Sequence, residues 1–206
     1  MNTTTRALRN ALLLPCLLFG QLTFAQDTQS PYTASINEYV KNYIATHEVV
    51  KGADRKHLHF FPADSSYRVT ATFEKIDDRA GFQMPTSQRS MQAYFRYGKI
   101  RFSINGTPCE LTVYQSKDLL RMDKYKDYLF IPFTDATTGT STYDGGRYID
   151  VTTPDIRDNK LVIDFNKAYN PYCCYTAGYS CPIPPKENAL PVAINAGEQK
   201  YSKPVH

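Results

Sequence analysis

Residues 90–114, SMQAYFRYGKIRFSINGTPCELTVY, constrain this chain more than any other stretch. Side chains in a strand change face at every residue, so one hairpin turn fixes which residues meet and which face each presents. Asn105-Gly106 suits a type I′ turn, whose two central residues both need positive φ. A turn centred there pairs Phe102 with Cys109 and Ile100 with Leu111. A second turn at Tyr97-Gly98 sets Phe95 opposite Ile100, Ala93 opposite Phe102 and Met91 opposite Ile104. Both registers gather the apolar residues on one face, which predicts a three-stranded antiparallel meander with one buried side.

The rest of the chain extends that sheet. Tyr67, Val69, Ala71 and Phe73 alternate with Arg68, Thr70, Thr72 and Glu74, the pattern of a half-buried strand. Further strands are predicted at Tyr128 to Phe133, Arg147 to Val151, Lys160 to Asn166 and Pro191 to Ile194, and a short helix capped by Ser116 over Lys117 to Tyr125. Before them the period is helical. Ser30 is a capping residue and Pro31 is tolerated at the first helical position. Ile36, Tyr39, Val40, Tyr43, Ile44 and His47 then recur at spacings of three and four on one face, and the helix is expected to end near Gly52. The predicted fold is mainly β: an antiparallel β-sandwich or flattened barrel with an N-terminal amphipathic helix and one short helix. No internal repeat or low-complexity linker divides it.

Residues 1–25 read as a secretory leader. Arg6 and Arg9 precede an apolar run from Ala11 to Phe19, and Thr23-Phe24-Ala25 places small residues before a cleavage point at Gln26. Pro15, Gly20 and Gln21 interrupt the run, which is therefore too short to span a membrane. The expected mature protein is one mainly-β domain, residues 26–206, exported to the periplasm or the exterior. The two leader arginines account for half of the formal net charge of +4. What remains is too weakly basic to point to nucleic acid or an anionic membrane surface.

Beyond the leader the cysteines are Cys109, Cys173, Cys174 and Cys181. An oxidising compartment favours disulfides over zinc thiolates. The meander register buries Cys109 as a free thiol. A bond between the neighbours Cys173 and Cys174 would be strained, which leaves Cys173 or Cys174 to pair with Cys181 across a short loop. His47, His57, His59 and His206 have no ligand spacing to these cysteines, so no metal is expected. No P-loop, H-E-x-x-H, Ser/His/Asp order or dinucleotide fingerprint is present, and no cofactor is expected.

Two segments, FTDATTGTSTYDGGRYIDV and VIDFNKAYNPYCCYTAGYSCPIPPKENALPVAINAGE, resemble the signature of the domain-of-unknown-function family 1684. The matching positions run from Asp135, Thr137, Gly139, Thr142, Tyr143 and Gly146-Arg147-Tyr148 to Asp164-Phe165-Asn166, Ala168-Tyr169-Asn170-Pro171, Cys173 and Tyr175. They continue through Cys181-Pro182, Pro184-Pro185, Glu187-Asn188 and Ala196-Gly197-Glu198. The resemblance implies no activity. It marks Cys173 and Cys181 as the family's cysteines, and so as the expected disulfide, and makes Cys174 an addition of this chain.

Residues 166–190 form a long irregular segment rich in proline, tyrosine and cysteine, expected to lie over the sheet as a lid. With loop 134–146 it would gather Asp135, Thr142, Tyr143, Arg147, Asp164, Asn166, Tyr169 and Glu187 at one mouth. Arg147 would hold a carboxylate or phosphate through its fork geometry, and Asp164 or Glu187 would serve as acid or base. The leading expectation is a binding domain for a small polar or anionic molecule. One alternative is a hydrolase using Asp164 and Glu187 with Arg147 as anchor. The other is a structural or interaction domain of the cell envelope, whose motif only fastens loops. No protein partner is indicated.

Overall fold

The computed structural model describes residues 30–203, so the leader of residues 1–25 lies outside the described residues. Ser30 Oγ accepts a hydrogen bond from the Thr33 backbone N–H at 3.1 Å and starts helix α1, Pro31–Thr46. The expected face is the packed one: Ile36 and His47 are buried, and Tyr39, Val40, Tyr43 and Ile44 are half-buried. The helix ends six residues short of Gly52 because His47 turns out of helical geometry and its Nδ1 accepts the N–H groups of Val49 and Val50.

Seven strands follow: β1 (Arg68–Lys75), β2 (Phe82–Pro85), β3 (Met91–Ile104), β4 (Thr107–Ser116), β5 (Tyr128–Phe133), β6 (Arg147–Thr152) and β7 (Lys160–Asp164). They form one antiparallel sheet in the order β6-β5-β4-β3-β1-β7, with β2 also paired to β3. The sheet curls into a half-barrel, so β6 and β7 are its two outer strands. Asn105 and Gly106 have φ of 48° and 80°, and the turn pairs Phe102 with Cys109 and Ile100 with Leu111 as the sequence predicts.

The second predicted turn does not exist. Residues 91–104 run as one 14-residue strand, and Tyr97-Gly98 is a β-bulge where the pairing with β4 slips between Arg96 and Gly98. Glycine is required there for a different reason: a Cβ would overlap the Phe73 ring and the Glu74 carbonyl. Phe95 therefore faces Gln115, not Ile100. The short helix over Lys117 to Tyr125 is realised as two 3-10 turns, Leu119–Arg121 and Asp123–Tyr125, with Ser116 Oγ accepting from Leu119 N–H. Pro191 to Ile194 is not a strand. Its backbone bonds go one by one to the 135–136 loop, Ala136 N–H to the Val192 carbonyl and Ile194 N–H to Asp135 Oδ1.

One face of the half-barrel carries the main core, including Ile100, Leu111, Ile131, Ile149, Leu161 and Ile163. Phe165, Leu190, Ile194 and Ala196 from the C-terminal segments close it. The other face carries a smaller aromatic cluster of Met84, Tyr94, Tyr114, Phe130 and Tyr148. Strand alternation divides β6 between them: Arg147, Ile149 and Val151 point to the core, Tyr148 and Asp150 to the aromatic side. No helix among the described residues is long and apolar enough to cross a membrane.

Candidate functional site

Burial governs the motif residues. The Arg147 side chain has 0 % exposure, and its Nη2 donates to Asp135 Oδ2 and to the Ile194 carbonyl, both at 2.9 Å. Nη1 donates to the carbonyls of Ala196 and Glu198. A charge placed on an apolar face is tolerated only when paired this fully. Its last N–H, on Nε, has no protein acceptor among the described residues. The open fork expected for an anion is therefore absent; the guanidinium ties the C-terminal segment to β6. Asp135 Oδ1 also accepts from Thr137 N–H, and Thr137 Oγ1 lies 2.9 Å from the buried Thr142 Oγ1.

Asn166 is similarly absorbed: its amide bonds Tyr32 and both backbone groups of Asp64, and Asp164 Oδ1 accepts from Tyr32 OH and Asn166. The pair fastens the first turn of α1 to the end of β7. Glu187 lies on the aromatic face, where Oε1 accepts from Tyr114 OH and Arg96. Asp164 and Glu187 share no partner, and the groove described below takes in Asp164 alone. Next to Glu187, the Asn188 amide plugs the sheet itself. It accepts from Thr112 N–H and donates to the Thr112 and Pro132 carbonyls. Pro132 has no N–H for the ladder, so this side chain replaces a β4–β5 pairing.

Cys109, Cys173, Cys174 and Cys181 are all free thiols, so the expected Cys173–Cys181 disulfide is not formed in this structure. Hydrogen bonds close the loop instead. Cys181 is held to Ser87 through both its N–H and its carbonyl, and its sulfur accepts the Cys173 N–H at 3.3 Å. The Cys181 thiol and Tyr143 OH, 3.6 Å away, pull the Cys173 pKa down to about 6, against the effect of burial. Burial holds the Cys174 thiol up at about 12.

One open part of the molecule lies at the seam between the outer strands, beneath α1; another, of about 620 Å³, lies beside Phe61, Asp64 and Tyr67. A groove of about 560 Å³ runs between β6 and β7, with Asp150 and Tyr169 on its floor and Arg68, Arg157, Asp164 and Lys167 around it. A second cavity of about 450 Å³, lined by Tyr39, Tyr43, His47, Glu48 and Tyr172, shares Tyr39, Asp150 and Tyr169 with it. The two cavities adjoin at these three residues. Asp150 Oδ1 accepts from Tyr128 OH at 2.7 Å and from Tyr169 OH at 2.9 Å, and no lysine, arginine or histidine among the described residues pairs with it. The carboxylate keeps water contact through the groove while the walls strip away much of its hydration. That desolvation raises its pKa, and the two phenol hydrogen bonds oppose the rise.

Behind the aromatic half sits Glu198, fully buried, accepting from Tyr175 OH, Tyr43 OH and Asn170 N–H. Burial pushes its pKa up to about 7, against those three donors. Tyr43 joins it to the cavity wall. His47 accepts through Nδ1, which leaves the proton on Nε2, and Nε2 has no partner. Among the described residues no group of three or more His, Cys, Asp or Glu could hold a metal ion.

Of the eight residues expected at one mouth, the groove brings together only Asp164 and Tyr169. Asp135, Thr142 and Arg147 form the buried staple, Tyr143 meets the thiols, Asn166 binds the helix start and Glu187 faces the other cluster. Asp150, Arg68, Arg157, Lys167, Tyr39 and His47 were missed. The alternation of β6 already turned Asp150 away from the core, but nothing local shows that α1 crosses the seam.

This architecture defines a half-barrel domain of mainly antiparallel β structure with a helix-roofed groove. The family model described as "Protein of unknown function (DUF1684)" matches residues 54–199, and the chain belongs to that family. It is also similar to an uncharacterised protein of Haloarcula marismortui, solved by solution NMR, with 30 % identity and a TM-score of 0.61; the match covers 83 % of this chain and 94 % of that one. No curated protein matches.

Proposed function

We propose that the protein binds a small polar molecule in the groove between β6 and β7. The observation that supports this reading is Asp150: a carboxylate without a counter-cation, oriented by two phenols, on the floor of a cavity of about 560 Å³. Asp150 is exposed to the groove and holds no counter-cation among the described residues, so its charge is open to a ligand. The site lies at the edge of segment 166–190 rather than beneath it, since only Lys167, Tyr169 and Tyr172 of that segment reach the two cavities. The leader-like residues 1–25 favour a role outside the cytoplasm. A hydrolase built on Asp164 and Glu187 has less support, because they do not converge.

The test is unbiased. The full chain is equilibrated with a polar small-molecule extract of the host and retained species are identified by native mass spectrometry, alongside Asp150→Asn. A species held by the wild type and lost from the variant is the expected result. Retention indifferent to Asp150, or no retention, overturns the assignment.

A further inference from the structure

The two halves of the groove differ in charge, and the difference specifies a ligand. In the aromatic half the charged groups are carboxylates, Asp150 and Glu48, and neither lysine nor arginine lines it. Its walls are the rings of Tyr39, Tyr43, Tyr169 and Tyr172. Carboxylate and ring face together are the chemistry that recognises an organic ammonium, because both attract a cation and the rings need no hydrogen bond from it. His47 in the same wall does not oppose this. Burial pushes its pKa down and keeps the ring neutral, so the unpartnered Nε2–H is an uncharged donor.

In the other half, Arg68, Arg157 and Lys167 line the cavity, and none of them forms an ion pair with the described residues. Two carboxylates there are already engaged. Asp155 accepts from Thr152 N–H and Oγ1, and Asp164 accepts from Tyr32 and Asn166. Asp155 and Asp164 keep their charge while hydrogen-bonded, but the three unpaired cations line this half and not the aromatic one, which makes it the end an anion can reach.

Resting on the groove reading above, we infer that the ligand class is a zwitterion: an organic ammonium seated on Asp150 among the tyrosines, carrying a carboxylate or phosphate that reaches Arg68, Arg157 and Lys167. The shared residues Tyr39, Asp150 and Tyr169 mark where the two ends of the molecule meet.

Calorimetric titration of the full chain tests this with ω-amino carboxylates from glycine to 8-aminooctanoate, each matched by the alkylamine and the carboxylate of the same length. One length should bind about tenfold or more tightly than both of its single-charge counterparts, the gain of one added charged contact. Asp150→Asn should reduce that probe to the affinity of the plain carboxylate. Lys167→Gln with Arg157→Gln, both exposed and free of ion pairs, should reduce it to that of the amine; only the contact of Lys167 with the Tyr39 ring and the Arg157 bond to the Pro154 carbonyl are lost, so the melt should fall only slightly. If no zwitterion exceeds its counterparts, or if either set of substitutions leaves its affinity intact, the zwitterion class is wrong. An Asp150-dependent species of another charge type in the extract screen would then leave the groove standing as a site. Loss of both results would remove the two together.

Discussion

Arg147 and Asp150 lie three positions apart on β6 and face opposite sides of the sheet, and that alternation separates scaffold from site. Lysine at 147 supplies one ammonium where the structure needs two planar nitrogens reaching Asp135 Oδ2 and the carbonyls of residues 194, 196 and 198. Arg147→Lys should cost about 2–4 kcal/mol, at the scale of a broken buried pair. It should leave ligand retention per folded molecule unchanged; an unaltered urea midpoint would contradict the staple. Glu198 makes a second residue-scale prediction. Its folded pKa of about 7 lies above the ordinary 4.5, so its contribution to stability is full below pH 4.5 and is lost as pH rises through 7. The loss amounts to about 3 kcal/mol. Glu198→Gln cannot ionise and should show a flatter stability profile from pH 4.5 to 8, whereas parallel profiles would refute the assignment. At this scale the sequence was half legible. The sequence gathered Arg147 and Asp135 at one place but as an open mouth, because the carbonyls that fill the guanidinium's remaining donors lie some fifty residues on, in a segment without periodicity.

At the scale of elements, the periodic parts were readable and the exceptions each trace to one side chain. The face of α1 and the Asn105-Gly106 hairpin follow from spacing and turn chemistry alone. Gly98 was misread as a turn because a glycine demanded by a neighbouring ring and one demanded by a turn look alike in sequence. Asn188 could not be foreseen, since a side chain standing in for a ladder bond leaves no periodic trace. Asn188→Ala strands Thr112 N–H, Thr112 O and Pro132 O, and should cost about 2–4 kcal/mol. A loss under about 1 kcal/mol would mean that the β4–β5 junction does not depend on it. The Cys173 and Cys181 thiols are close enough to be crosslinked by oxidised glutathione, which would leave as two reduced molecules. Peptide mapping after that treatment should find Cys173 bonded to Cys181, with Cys109 and Cys174 reduced, and a Cys174–Cys181 bond would exclude this arrangement.

At the scale of the whole molecule, the half-barrel leaves one seam, and α1 roofs it. The residues gathered there come from the helix and its end, from β1, β6 and β7, from the β6–β7 connection and from the start of the 166–190 segment, six stretches with no shared motif. That is why the family signature led to the staple and not to the groove: its charged members are mostly consumed in holding irregular backbone to the sheet, as the partners of Asp135, Arg147, Asn166 and Glu198 show. One paired measurement tests this division of labour between scaffold and groove. Wild type, Asp150→Asn and Arg147→Lys are purified from the same host, and retained small molecule per folded protein is quantified by native mass spectrometry beside thermal melts. Asp150→Asn should melt near the wild type and lose the ligand, while Arg147→Lys should melt lower and keep it. The reverse pattern, with ligand lost from Arg147→Lys and kept by Asp150→Asn, would contradict it.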